Sequence, residues 1–205
     1  VAWWTGASLQ PANLGEYLEA AGFSHACGAP AMAVEIENMN ESLPAPANLV
    51  TEEVTDEDTL RTWNEVYTEV FEYPDFTREP WFRMLASLGL GPEQQWRHFL
   101  ARLEGKPVAT ASLFLWAGVA GIADVTTLPE ARRQGVGTEI TLALLREARR
   151  LGYRVGTLFA SEMGLPVYRQ IGFRPYFRGN CYIWTPEEGD TEPLRSSLAP
   201  FGQGS

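Results

Sequence analysis

The run Asp124-Val125-Thr126-Thr127-Leu128-Pro129-Glu130-Ala131-Arg132-Arg133-Gln134-Gly135-Val136-Gly137-Thr138 carries the clearest chemical signal in this chain. Its first residues end an apolar strand, a proline turns the chain, and Arg132-x-x-Gly135-x-Gly137 opens a helix. Glycines at such a start let successive backbone N–H groups converge, and the helix N-terminus adds partial positive charge. The product is a cradle for a pyrophosphate, with Arg132 and Arg133 as counter-charges. A plain structural turn is the competing reading of Gly-x-Gly alone.

Two other phosphate-binding motifs are excluded. A dinucleotide fingerprint needs a third glycine where Ile140 stands, and an acid about 20 residues onward, where Arg154–Ala160 has none. A P-loop needs Gly-Lys-Ser/Thr after the turn, which is absent. His25 and His98 have no partner at triad or metal spacing and read as structural. Asp124 is an unusual residue for a strand end: it is either a base beside the cradle or a cap for the turn. Glu69, Glu72 and Tyr73 close an earlier helix as further acceptor-site candidates or as a solvated face.

The elements that must position these groups follow from periodicity. Leu60, Trp63, Tyr67, Val70 and Phe71 recur at helical spacing after Asp56, an N-cap type, and Pro74 stops the helix. A short helix carries Trp81, Leu85 and Leu88. Strands Trp96–Leu103 and Val108–Trp116 flank the hairpin signature Glu104-Gly105-Lys106-Pro107. A strand over Val119–Thr127, a helix over Val136–Leu151 and a strand over Arg154–Ala160 come next. The chain closes with a helix over Leu165–Ile171 and strands Phe173–Phe177 and Cys181–Trp184. This order predicts a mixed α/β sheet, part hairpin and part crossover.

The chain's 205 residues include 16 Lys and Arg against 26 Asp and Glu, giving a net charge of −10. Such an acidic chain (pI about 4.7) is no duplex nucleic-acid binder and is repelled by anionic membranes. A cationic acceptor is compatible with it. The longest uncharged stretch, Pro107 to Ala123, is broken by Gly118 and Gly121 and falls short of a span of ~20 residues. Cys27 and Cys181 read as reduced thiols, and with no visible signal peptide the expected location is cytoplasmic.

Ser161-Glu-Met-Gly-Leu-Pro-Val-Tyr168-Arg-Gln-Ile-Gly-Phe173 follows the next strand. Together with Thr-Leu-Pro-x-x-Arg-Arg-x-Gly-x-Gly-Thr, this combination resembles the GNAT N-acetyltransferase superfamily over roughly residues 49–185. The resemblance implies a splayed seven-stranded acyl-CoA N-acyltransferase fold with acetyl-CoA as co-substrate at the splay. It implies backbone contacts from Val125, Thr126 and Thr127 to the pantetheine arm. The loop Arg133, Gln134, Gly135, Val136, Gly137 and Thr138 would hold the pyrophosphate, beside Arg132, and Ser161 would stand at a polar cofactor contact. Asp124 lies where relatives of this kind place a carboxylate. Tyr168 is the expected general acid, since amine attack on a thioester expels a thiolate that a phenol can protonate.

The implied activity is acetyl transfer to a primary amine of a small molecule or peptide, by direct attack in a ternary complex. A noncatalytic acyl-CoA-binding or interaction module is the alternative, and a homodimer is left open. Residues 1–40 repeat the closing pattern (strand, helix, Gly22-Phe23, strand Met32–Ile36), with Leu18 opposite Tyr168. They are expected to be the degenerate remnant of a first, tandem copy of the domain, docked on the main one. Residues 41–48 then form a linker, 49–185 the acetyltransferase domain and 186–205 a flexible tail.

Overall fold

A computed structural model describes residues 1–185, so the expected tail lies outside the described residues. The elements are β1 (Ala2–Thr5), α1 (Leu14–Ala20), β2 (Ser24–Glu35), β3 (Leu49–Glu53), α2 (Glu57–Val70), α3 (Asp75–Ser87), β4 (Trp96–Leu103), β5 (Lys106–Trp116), β6 (Val119–Thr127), α4 (Val136–Arg150), β7 (Val155–Phe159), α5 (Leu165–Ile171) and β8 (Arg174–Ile183). They form one mixed sheet of eight strands in the order β1-β8-β2-β7-β6-β5-β4-β3. The seven strands implied by resemblance are therefore corrected to eight, two of which come from the first 35 residues.

Two tight hairpins build the β4–β6 half. Glu104 and Gly105 both take positive φ (52° and 81°), as do Ala117 and Gly118 (50° and 79°), the geometry of two-residue turns that match strand twist. One face of this half is covered by α2, whose Leu60, Trp63, Val66 and Tyr67 are buried with Leu100 and Leu128. The other face is covered by α4, whose Ile140, Leu144 and Leu145 pack on Ala111, Leu113, Ala120 and Ile122. Asp56 caps α2 by accepting the Thr59 N–H at 2.8 Å. Arg97, only 2% exposed, reaches from β4 to Glu53 at 2.6 Å and to Glu147 of α4 at 2.8 Å, tying helix to sheet.

The N-terminal segment departs from the sequence reading. The strand expected over Met32–Ile36 runs from Ser24 to Glu35, and it sits inside the sheet rather than at an edge. It pairs antiparallel with β7 on one side (Met32 opposite Leu158) and with β8 on the other (Cys27 opposite Cys181). The two closing strands are likewise one continuous strand, β8. Arg178-Gly179-Asn180, left between the two expected strands, is held extended by ladders on both sides, with Ala29 opposite Gly179 and Thr5 opposite Asn180. A Cβ at Gly179 would approach Phe159 to 2.6 Å, so glycine here serves packing rather than turning.

The sequence repeat has a structural counterpart. Exchanging β1 with β7, α1 with α5 and β2 with β8 maps the strand order β1-β8-β2-β7 onto itself reversed. The helix ends match as well: Phe23 N–H donates to the Leu18 carbonyl at 3.0 Å and Phe173 N–H to the Tyr168 carbonyl at 2.9 Å, across Gly22 and Gly172 at positive φ.

Residues 39–48 cross the α4 face under restraint. Asn40 N–H donates to the Ile171 carbonyl at 2.8 Å, and Glu41 pairs with Arg146 and Arg149 at 3.1 and 2.7 Å.

Because β2 bridges β7 and β8, removing it exposes two ladders at once. Deleting residues 1–35 is expected to abolish cooperative thermal unfolding and to bring dye-detectable apolar exposure, both absent from the full chain. A truncated chain that melts as sharply and as high would contradict this pairing.

Candidate active site

The site begins with one extra residue. Between Thr110–Thr126 and Ser112–Ala123 the register of β5 and β6 shifts by one, which places a bulge at Asp124-Val125 opposite Ala111. Asp124 takes φ 53° there, in the left-handed region that Asp tolerates better than most residues. Thr110 pins the bulge from below, its hydroxyl donating to the Asp124 carbonyl at 2.9 Å. The Trp63 indole N–H points to the carbonyl of Ala111 at 3.4 Å, so α2 is anchored at the same place.

Just before the bulge β6 parts from β7. These strands run parallel, and their register covers only Ala120–Gly156 and Gly121–Thr157. Downstream, Ile122, Ala123, Thr126 and Thr127 keep their β5 partners, and no residue from Ile122 to Thr127 has a ladder on the β7 side. The sheet is open there, and the two sides of the opening carry different chemistry.

On the α2 side lies the Asp124 carboxyl, hydrogen-bonded by Ser112. Ser112 Oγ lies 2.8 Å from Nδ1 of His98, which stands directly opposite it on β4. His98 is 2% exposed, and burial pushes its pKa down to about 4, so the ring is neutral at pH 7. With Ser112 donating to the carboxylate, its oxygen accepts from a His98 Nδ1–H, which selects that tautomer. Trp63 and Trp96 hold the imidazole at ring distances of 4.9 and 5.6 Å. Burial also pushes the Asp124 pKa above its usual range, with the Ser112 bond acting in the opposite direction. Tyr67 and Tyr73 complete the pocket wall. Their hydroxyls hydrogen-bond each other, and both titrate above the ordinary phenol, first through burial and then through the Asp124 charge.

On the α4 side lies the segment expected to form the cradle. Gly135 is the N-cap at φ 88° with no side-chain cap, so the first N–H groups of α4 (Val136, Gly137 and Thr138) find no acceptor among the described residues. A Cβ on Gly137 would meet only the Thr127 hydroxyl, at 3.6 Å, which leaves the approach clear. A Cβ on Gly135 would meet the Pro44 carbonyl at 2.7 Å, so that glycine is needed for the 39–48 strap as well as for its φ. Arg132 turns back, its Nε donating to the Thr127 carbonyl at 3.0 Å, and Gln134 binds the Glu130 carbonyl at 2.9 Å. Arg133 is exposed and makes no ion pair among the described residues. Ser161 Oγ accepts the Gly164 N–H at 3.1 Å, in the turn that starts α5. The backbone from Val125 to Thr127 forms the β6 rim of the opening.

Tyr168 belongs to the core beneath α4 and α5, edge-on to Phe173 at 5.8 Å, and burial raises its pKa to about 12. It lies across the sheet from Asp124, with the opening between them. Glu69 and Glu72 are exposed and stay apart from this site, whereas Tyr73 joins it. His25 is bound to Asn180 at 3.2 Å, far along the sheet from the opening. Among the described residues no group of His, Cys, Asp and Glu could hold a metal, and no helix is long and apolar enough to cross a membrane.

A sheet parted between two parallel strands, with an open helix N-terminus on one side, is the geometry implied by the motifs, and the family comparison agrees. The model of the acetyltransferase (GNAT) family matches residues 57–173. The chain belongs to the GNAT acetyltransferase family. This GNAT fold is similar to that of a GCN5-related N-acetyltransferase from Kribbella flavida, with TM-score 0.63 and 24% identity over 83% of this chain and 63% of that one. A second, from Sphaerobacter thermophilus, superposes with TM-score 0.67 and 22% identity over 89% of this chain and 58% of that one. The chain thus spans about 60% of the length of either. A predicted acetyltransferase with acetyl-CoA from Clostridium acetobutylicum matches at TM-score 0.50 and 17% identity, over 62% of this chain and 91% of that one. No functionally curated protein matches the sequence.

His98, Ser112 and Tyr67 were absent from the sequence-based site. The signal that could have found them is polar residues among apolar neighbours: His98 and Ser112 lie within the buried runs of β4 and β5. Ser112→Ala removes the bond that lowers the Asp124 pKa. NMR titration of the Asp124 carboxyl is expected to show its midpoint moving to higher pH in that variant, while His98 stays neutral near pH 6. An unmoved Asp124 midpoint would show that the contact is not formed in solution.

Proposed function

We propose that this protein transfers an acetyl group from acetyl-CoA to a primary amine by direct attack across the β6–β7 opening. One observation carries the reading: a partly buried carboxylate, linked to Ser112 and His98, and an uncapped helix N-terminus flank the same gap in the sheet. The residues present fit the co-substrate. The N–H groups of Val136, Gly137 and Thr138 would hold its pyrophosphate, with Arg133 nearby, and the rim Val125–Thr127 would receive its extended arm. When bound, acetyl-CoA supplies an acyl group activated as a thioester.

Asp124 is the general base. Its raised pKa makes it a better proton acceptor than an exposed carboxylate, and its ionised form is maintained by Ser112. His98 acts through Ser112 and is a positioning residue. Tyr168 serves the other side. At a pKa of about 12, against ~8.5 for a thiol, complete proton transfer is uphill. Its contribution is therefore a hydrogen bond donated to the sulfur as charge develops there. Residues 1–40 fit the remnant of a first, tandem copy, now serving as two strands and a helix of the working domain.

Thiol release measured with an amine panel tests the activity. Asp124 must be ionised, so kcat is expected to fall as pH drops through its raised pKa, and Asp124→Asn should lose that limb together with ~10²–10⁴-fold in kcat. A wild-type acid limb that survives in Asp124→Asn would contradict the base assignment.

Gly137→Glu places a carboxylate in the cradle without a backbone clash, so calorimetry should show acetyl-CoA affinity falling at least ~10-fold at unchanged thermal stability. Unchanged affinity would move the pyrophosphate elsewhere. Tyr168→Phe keeps the ring and should lower kcat with acetyl-CoA affinity intact; an unchanged kcat would remove Tyr168 from the reaction.

A further inference from the structure

The acetyl-transfer reading leaves the body of the acceptor unspecified, and the surface beside Asp124 constrains it. A groove of about 840 Å³ lies over the β6–β7 opening, a volume suited to one small molecule. Its floor is set by register. Trp96 stands opposite Phe114 and Phe114 opposite Gly121, with Gly121 opposite Thr157, so these residues form one row across the sheet. The adjacent row on the same face is His98, Ser112 and Ala123. The groove is thus continuous with the Asp124 network.

The lining chemistry is one-sided. Trp96 and Phe114 form one wall, edge to face at 6.2 Å, and Phe159 and Phe177 form another at 6.3 Å. Thr157 and the Tyr176 phenol bring hydroxyls, and among the described residues no charged side chain lines it. The indole N–H of Trp96 is buried and has no partner among the described residues.

We infer that the acceptor is a primary amine on an apolar, ring-sized body, an arylalkylamine in chemical class, with Trp96 and Phe114 as specificity-determining residues. This rests on the acetyl-transfer reading above. Asp124 can answer one amine at the opening, while the groove offers stacking and edge contacts to the rest of the molecule. A polyamine or aminosugar would bring further ammonium and hydroxyl groups into a wall with too few partners for them. The chain's net charge of −10 attracts cations to its surface in general, but the groove itself selects against a second charge.

The test compares kcat/KM of the full chain for tryptamine and phenethylamine with that for spermidine, glucosamine and kanamycin. Aryl amines are expected to exceed the others by roughly 100-fold. Phe114 is 42% exposed, so Phe114→Asp is expected to fold. It should raise KM for tryptamine by roughly 10–100-fold and narrow the gap to spermidine, with acetyl-CoA affinity by calorimetry unchanged. Phe177→Ala, on the opposite wall, gives the same readout if Phe114→Asp does not fold. Preference for spermidine or the aminosugars, or an aryl-amine KM untouched by a folded groove variant, overturns the inference while leaving acetyl transfer intact. Acetyl-CoA binding without acetylation of any amine overturns the transfer reading and this inference with it.

Discussion

A single bulged residue in β6 sets the geometry on which the remaining structure depends. β6 leaves β7 after two paired positions, and the register shift at Asp124-Val125 follows directly while the strand stays on β5. Two parallel strands that separate inside a sheet expose backbone groups that would otherwise be paired, and the cost is tolerable only where a ligand or solvent can reach them. The same residue takes the left-handed backbone angle and carries the carboxylate. The opening of the sheet and the Asp124 carboxyl therefore lie next to each other on β6.

The flanks of the opening are stabilised independently. Arg97 links β3, β4 and α4 through Glu53 and Glu147, fixing the helix whose N-terminus faces the gap. Several causes bear on the Glu147 carboxyl. The largest is the Arg150 bond, and with Arg97 it holds the pKa near 2. On the far side, β7 cannot rely on β6 for more than two pairs, and β2 supplies its second ladder. A segment from the beginning of the chain therefore does the work of keeping β7 and β8 in one sheet. The local two-fold relation of β1-α1-β2 to β7-α5-β8 explains how it can: each half presents the same helix-Gly-Phe-strand unit, and each lays its strand beside the other's.

Much of this was legible in the sequence, for physical reasons that differ by region. The turn before α4 could be read because Gly135 answers a backbone demand that few other residues meet. The hairpins could be read because Glu104-Gly105 and Ala117-Gly118 adopt a turn with strict φ requirements. The edge strand Leu49–Glu53 was missed, since its alternation ends in two glutamates whose partners, Arg102 and Arg97, lie on β4. The His98–Ser112–Asp124 chain was missed for a sharper reason. Counting from the Glu104-Gly105 turn pairs His98 with Ala111, and only the register shift after Arg102 brings it opposite Ser112. A one-residue bulge, invisible to periodicity, decides which side chains meet. The path of β2 was equally hidden, because Gly28 and Pro30 argue against a strand whose two neighbours are both distant in sequence.

The central claim is that the opening bounded by Val125–Thr127 and the start of α4 receives acetyl-CoA. Amide hydrogen exchange of the full chain, with and without acetyl-CoA, tests it most directly. Bound acetyl-CoA should slow exchange at Val136, Gly137 and Thr138 and along Val125–Thr127, with β3 and α3 unaffected. Protection confined to other elements, with the α4 start exchanging as before, would contradict the account.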